Sequence, residues 1–208
     1  MKKFVLLSII MLTITSSASF AQQKTQLLKM KSTSGSDNKD LLDLLRFEGV
    51  DFHQIKFSGN DLKGKTYKIT VKEFWGGKLK SEQKVIDTKD LSDAGLDKIT
   101  DTILNMKVIA KMTPQNKIKI SFTSDRFSNT KEYKAIKSDD YSLRNLAEES
   151  KLPIGYGENF YFMAMILPYE RKDGSKSWCE VGSNGKDIEN WGKKYGVKHY
   201  LLFEMKFE

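Results

Sequence analysis

Cysteine, histidine and proline are scarce in this chain of 208 residues, which holds one, two and three of them. The lone Cys179 excludes an internal disulfide and any Cys-x-x-Cys motif. His53 and His199 form neither His-x-His nor His-Glu-x-x-His, and one Cys with two His cannot close a structural zinc site without carboxylates. No Gly-x-Ser-x-Gly elbow is present, so a serine nucleophile has no recognisable seat. Gly155-Tyr156-Gly157 lacks the third glycine and the strand-to-helix setting of a phosphate cradle. Asp90, Asp93, Asp97 and Asp101 lack the spacing of a calcium loop and read as charge on a short helix. We therefore assign no catalytic residue, no metal ligand and no cofactor from sequence. A pair of glycosidase carboxylates needs only a separation in space, and nothing selects two of the 27 acidic residues.

Long apolar runs are also lacking, with one exception at the start. Lys2 and Lys3 lead into Phe4 to Ile14, and small residues follow up to Ser19-Phe20-Ala21. A basic start, an apolar run too short to span a bilayer and small residues at −3 and −1 mark residues 1–21 as a secretory signal peptide. No cysteine follows the run, so the exported chain is not a lipoprotein. No later run approaches a membrane span; Phe160 to Leu167 has the length of a strand. Cys179 sits between Trp178 and Val181, and such apolar neighbours predict a buried, unreactive thiol.

What the chain has in excess is lysine. Its formal charge is +8 and falls by the two leader lysines after cleavage. The lysines alternate with apolar residues in Lys107-Val108-Ile109-Ala110-Lys111 and Lys117-Ile118-Lys119-Ile120. That period places them on the solvent face of strands, where they read as a solvated face that discourages aggregation rather than as a polyanion site. Export argues against nucleic acid.

Residues 22–37 are rich in Gln, Lys, Ser and Thr and predict a flexible tether. Asn38 or Asp37 can cap a short helix carrying Leu41, Leu42, Leu44, Leu45 and Phe47, with Gly49 beyond its end. Its apolar stripe is expected to close one end of the core, or else to bind a partner. The pattern then changes to period two. His53, Ile55 and Phe57 share one face, and Tyr67, Ile69, Val71 and Trp75 another. Gly76-Gly77 fits a hairpin turn, with Leu79 to Asp87 as an edge strand. A helical turn after Asp90 is expected to carry Leu96, Ile99 and Ile103. Leu104 to Met112 and Ile118 to Phe122 make a second hairpin around Pro114, and Lys131 to Ile136 a weaker strand. Ser142 to Glu149 reads as a short helix. Asn159 to Tyr169 is apolar on both faces, with Phe160, Phe162, Ala164 and Ile166 on one side, and so predicts a central strand. Trp178 to Val181 reads as a short strand before the loop Gly182 to Gly185. Asp187 is expected to cap a helix ending at Gly196, and the chain closes on a strand with Val197, His199, Leu201, Phe203, Met205 and Phe207 facing inward. These elements predict an antiparallel two-layer β-sandwich with short peripheral helices, a single domain over residues 38–208. The alternative is an α+β open sheet with helices on one face.

Trp75, Trp178, Trp191 and Tyr156 are the candidate ligand-stacking residues. They form a sugar platform if coplanar and exposed, and ordinary core if they continue strand faces. Both histidines fall on apolar faces and read as core residues; a metal held by the pair with a carboxylate is the competing reading.

The runs Leu44-Leu45-Arg46-Phe47-Glu48-Gly49-Val50-Asp51-Phe52, Lys65-Thr66-Tyr67 to Phe74-Trp75 and Val197-Lys198-His199-Tyr200 resemble a family of exported proteins of Bacteroides-type bacteria, a domain of unknown function. The resemblance implies a Gram-negative periplasmic or secreted setting and carries no catalytic residue across. Three functions fit: a non-enzymatic module binding protein or glycan, a carbohydrate-binding module using the tryptophans, and a hydrolase with acidic catalysts. The intact mass of the protein recovered from the periplasm or medium should correspond to a chain starting at Gln22; retention of residues 1–21 overturns export.

Overall fold

The structure, a computed structural model, describes residues 28–178 and 187–208. The leader, its cleavage site, Cys179, Val181 and the loop Gly182 to Gly185 lie outside the described residues. Two five-stranded sheets face each other. The first contains β1 (Lys29–Ser34), β2 (Val50–Ser58), β5 (Ile103–Met112), β6 (Lys117–Ser124) and β7 (Ser128–Lys134), in that spatial order. The second runs β4 (Lys78–Asp87), β3 (Tyr67–Trp75), β12 (His199–Phe207), β9 (Phe160–Ile166) and β8 (Ser142–Asn145). A small ribbon pairs β10 (Tyr169–Glu170) with β11 (Lys176–Ser177). Pairing in both large sheets is antiparallel, and the β-sandwich expected from the sequence is the architecture observed.

The two sheets are not equivalent. Between them lies the main core, with Ile55, Phe57, Val108, Ile120 and Phe122 from the first sheet and Ile69, Val71, Phe162, Phe203 and Phe207 from the second. The second sheet has another core on its far side. There Phe74, Tyr200, Leu202, Ala164 and Ile166 are covered by Ile188, Val197 and Trp191 of the short helix α2 (Trp191–Tyr195). Phe74 stacks on Tyr200 with centroids 4.7 Å apart. The second sheet is thus buried on both faces around Phe74, Tyr200 and Ile166, while the rest of its far face carries Lys68, Glu204 and Lys206 and the first sheet keeps one face in water.

Several sequence expectations need correction. Within the segment expected as a tether, Lys29–Ser34 instead pairs with β2 as an edge strand. The helix α1 (Lys39–Phe47) forms as expected, with Asn38 accepting from the Leu41 amide, yet its stripe closes nothing. Leu44 and Phe47 are 56% and 86% exposed, because only Leu42 and Leu45 turn toward the strands. The turn after β4 is a 3-10 helix over Thr88–Ala94, and Ile103 already belongs to β5. The seventh strand begins at Ser128 rather than Lys131. Ser142 to Asn145 is a strand, not the start of a helix: Leu143 pairs with Met165 and covers the free edge of β9, which a helix cannot do. In β9 a bulge at Phe162 breaks the alternation. Phe160 and Phe162 face the main core together with Met163 and Met165, while Ala164 and Ile166 face the other. Asp187 adopts a left-handed conformation and makes no side-chain cap.

Gly76-Gly77 closes the β3–β4 hairpin with φ of +54° and +74°, as the turn requires. The second glycine also lies under α2. A Cβ on Gly192 would stand 2.4 Å from the Gly77 Cα, so the helix docks by backbone contact. Gly192→Ala should therefore cost about 2 kcal/mol by overpacking, read as a lowered midpoint in urea; an unchanged midpoint sinks this docking account.

Candidate anion-binding face

Alternation in β1, β2, β5, β6 and β7 puts one row of each strand into the core and the other into water. The wet rows carry Lys29, Lys31, Lys56, Lys107, Lys111, Lys117, Lys119 and Lys134, opposed within the strands by Glu132. Lys111 pairs with Glu48 at 3.4 Å and Lys117 with Glu132 at 2.9 Å. Glu132 also feels Lys119, and these lysines, the Lys117 hydrogen bond first, hold its carboxyl below the usual range. The other lysines of the face have no ion-pair partner among the described residues.

Strand register places like charges head-on. Lys31 lies opposite Lys56, Lys111 opposite Lys119, and Lys117 opposite Lys134. Directly opposed like charges destabilise a sheet. The second sheet handles its outer lysines differently: Lys72 meets Glu189 at 2.8 Å and Glu204 at 3.5 Å, Lys206 meets Glu208, and Lys68 faces Asp87. Positive charge is compensated on one sheet and concentrated on the other.

The lysine face is hollowed. A groove of about 450 Å³ is lined by Lys31, Lys56, Lys107, Gln54, Asn105 and Thr123 among others. A second hollow of about 430 Å³ continues past Lys29 and Ser58 to the ring of Tyr156. On the opposite flank Ser121, Thr123, Ser128 and Thr130 make a patch of mutually hydrogen-bonded hydroxyls. Alternation alone predicts the outward orientation of these lysines; their gathering over several strands depends on the register. Solvated they are, with Lys56, Lys107 and Lys119 all exposed.

The buried polar groups serve the fold. Asp51 and His53 reach from β2 to one residue of the edge strand β8. The Asp51 carboxylate accepts from the Leu143 amide at 2.8 Å, and the His53 Nε2 faces the Leu143 carbonyl at 3.3 Å. Two side chains thereby replace the missing neighbour strand, with Ser32 Oγ 3.1 Å from the other ring nitrogen. Burial pushes the Asp51 pKa up and the His53 pKa down. His199 is completely buried at the start of β12. The Tyr141 hydroxyl accepts from the Ile136 amide and lies 2.5 Å from His199 Nδ1, so it donates there to a neutral ring. Nε2 stands 3.6 Å from Glu73, which accepts from Trp75 Nε1 at 2.6 Å and Ser81 Oγ at 2.9 Å. Both histidines are core residues, as expected, but His199 is held by side chains rather than backbone. Burial pushes the Tyr141 hydroxyl up to about 12, away from what a phenolate nucleophile needs. Among the described residues no group of three or more His, Cys, Asp or Glu can hold a metal.

The four stacking candidates are not brought together. Trp191 is buried in the far core, Trp75 packs on the His199 ring at 4.1 Å, and Trp178 lies under Arg144 at 5.2 Å. Tyr156 alone borders the lysine face, with Lys65 5.5 Å from its ring centroid. No helix of the described residues is long and apolar enough to cross a membrane. Comparison with family models, curated proteins and solved structures finds no match.

Desolvation pushes the His199 pKa down to about 4, against the upward pull of Glu73. A base with a depressed folded pKa takes up protons more readily when unfolded, so its contribution to stability falls from about pH 6.5 toward pH 4. Measured as urea midpoints over that window, His199→Gln should flatten the acid loss relative to the parent chain. Parallel pH profiles overturn the assignment.

Proposed function

We propose that this chain is an exported, non-catalytic binding module whose ligand seats on the outer face of the β1-β2-β5-β6-β7 sheet. The observation that carries the reading is the set of three head-on lysine pairs on one face, of which the Lys31–Lys56 pair lines a groove together with Lys107. A face kept only for solubility gains nothing from opposing like charges, whereas an anionic ligand relieves their repulsion and turns the cost into affinity. The signal-like start and the lack of a following cysteine place it, on this reading, in the periplasm or medium of a Gram-negative bacterium, without a lipid anchor. The likeness to exported proteins of Bacteroides-type bacteria supports the same setting.

A hydrolase is favoured less, because the carboxylate with the richest polar surroundings, Glu73, is engaged by Trp75 and Ser81 against a buried histidine. A tryptophan platform is favoured less because Trp191 is buried in the far core, Trp178 packs against that core, and Trp75 lies on the His199 ring. Amide NMR spectra of the exported chain titrated with polyglutamate and with polygalacturonate test the proposal. At least one probe should give saturable shifts confined to the outer rows of β1, β2, β5 and β6. Shifts gathered around Glu73 and His199 or around Trp178, shortening of the polysaccharide, or no shifts with either probe overturn it.

A further inference from the structure

We infer that the face is a track for a linear acidic polysaccharide lying obliquely across all five strands; this deepens the binding reading above and rests on it. The lysines are not scattered. Register carries them from Lys29 and Lys31 on β1 to Lys56 on β2, where Asn105 of β5 stands opposite. Lys107 lies two residues further along β5, opposite Gln54, and Lys111 four beyond it, beside Lys119 of β6. Lys117 and Lys134 end the series on β6 and β7. The three head-on pairs cross the sheet level, and the advance along it comes from Lys29 to Lys31, Lys56 to Lys107, Lys107 to Lys111 and Lys119 to Lys117. With strands ~4.8 Å apart and ~3.3 Å per residue, the band from Lys29 to Lys134 runs roughly 35–40 Å. A compact anion needs one cluster of charge; a band of this length matches a chain with repeating charge.

The chemistry beside the band selects among polyanions. One flank carries the hydroxyls of Ser121, Thr123, Ser128 and Thr130, and the groove floor adds the amides of Gln54 and Asn105. These are partners for sugar hydroxyls. At the Lys29 end the Tyr156 ring borders the hollow and offers a surface for one sugar ring. Single-stranded nucleic acid instead calls for an aromatic ring under successive bases. On this face only Tyr156 and the half-buried Phe52 are available, at separate places. An acidic polypeptide can hydrogen-bond to the same hydroxyls but brings no sugar ring to the Tyr156 end. The acidic sugar chain uses all three features.

The test measures binding of heparin oligosaccharides of increasing length and of polygalacturonate to the exported chain at several salt concentrations. Neutral dextran, poly-dT and polyglutamate serve as comparisons. The double variant Lys56→Glu/Lys107→Glu reverses the middle of the band. Lys78→Glu/Lys80→Glu on β4 makes the same change in net charge elsewhere. Affinity for the acidic polysaccharides should rise with chain length until the band is spanned and fall with salt. The band variant should bind roughly tenfold or more weakly and the β4 variant within about twofold of the parent. Because all four lysines are exposed, both variants should keep the parent circular dichroism spectrum. Tighter binding of poly-dT or polyglutamate, or affinity independent of chain length, overturns the ligand class while leaving the binding face standing. Equal losses in the two variants, or none in the band variant, overturn the band and the face together.

Discussion

Everything in this fold hangs on β12 being dry on both sides. Leu201, Phe203, Met205 and Phe207 fill the space between the sheets, while Tyr200 and Leu202 fill the space under α2. Burying each large apolar side chain is worth ~1.5–3 kcal/mol, so one strand gathers a gain comparable to a whole domain's net stability of ~5–15 kcal/mol. Its neighbours inherit the constraint. β9 must also present apolar groups to two cores, and the bulge at Phe162 lets it give both phenylalanines and both following methionines to the larger one. The helix and turns of the last third of the chain are committed to covering the far side. Nothing remains to cover the outer face of the other sheet, which is why that face is wet and free to carry charge.

The polar groups inside the sandwich answer the same geometry. Two sheets with open edges leave strand amides and carbonyls without partners. The Leu143 amide and carbonyl are met by Asp51 and His53 from the opposite sheet, which stitches edge to face without another strand. At the hairpin end of the core, Tyr141 hydrogen-bonds to His199, and Glu73, which accepts from Trp75 and Ser81, stands 3.6 Å from the other ring nitrogen. A histidine, a carboxylate and a hydroxyl near one another resemble catalytic machinery, yet the ring is wholly enclosed and packed at a tilt against Trp75. Enclosure converts the same chemistry into a pH-sensitive rivet.

How much of this could be read from sequence follows from how local each signal is. The Gly76-Gly77 hairpin, the alternation of β12 and the Asn38 cap depend on neighbours a few residues away, and they were legible. The edge strand β1 was not, because its six residues, five of them polar, pair only through β2 and look like a tether in isolation. Leu143 and Leu146 are three apart, a spacing that serves a helix as well as a strand followed by a turn; only the need to cover β9 decides between them. The bulge at Phe162 is invisible where both faces are apolar, since no polar residue marks the shift. The candidate face shows the same limit. Outward-pointing lysines were plain, but which lysine opposes which is a property of five strands in register, and no single segment contains it.

Position separates a protective role for those lysines from a recognitive one. Lysines that block aggregation belong on edge strands, where unpaired amides invite another chain. β1 and β7 are the edges of this sheet, and Lys29, Lys31 and Lys134 suit that purpose. Lys56, Lys107, Lys111, Lys117 and Lys119 do not: they stand on β2, β5 and β6, whose amides are already paired on both sides. Solubility alone is served as well by mixed charge, the arrangement found on the opposite sheet around Lys72, Glu189 and Glu204. One chain therefore holds both solutions, compensated charge around Lys72 and a surplus of positive charge on this face, where Lys111 and Lys117 are ion-paired but Lys56, Lys107 and Lys119 have no ion-pair partner among the described residues. The lysines of the inner strands are the part of the face that protection does not explain, and an anion laid across them does.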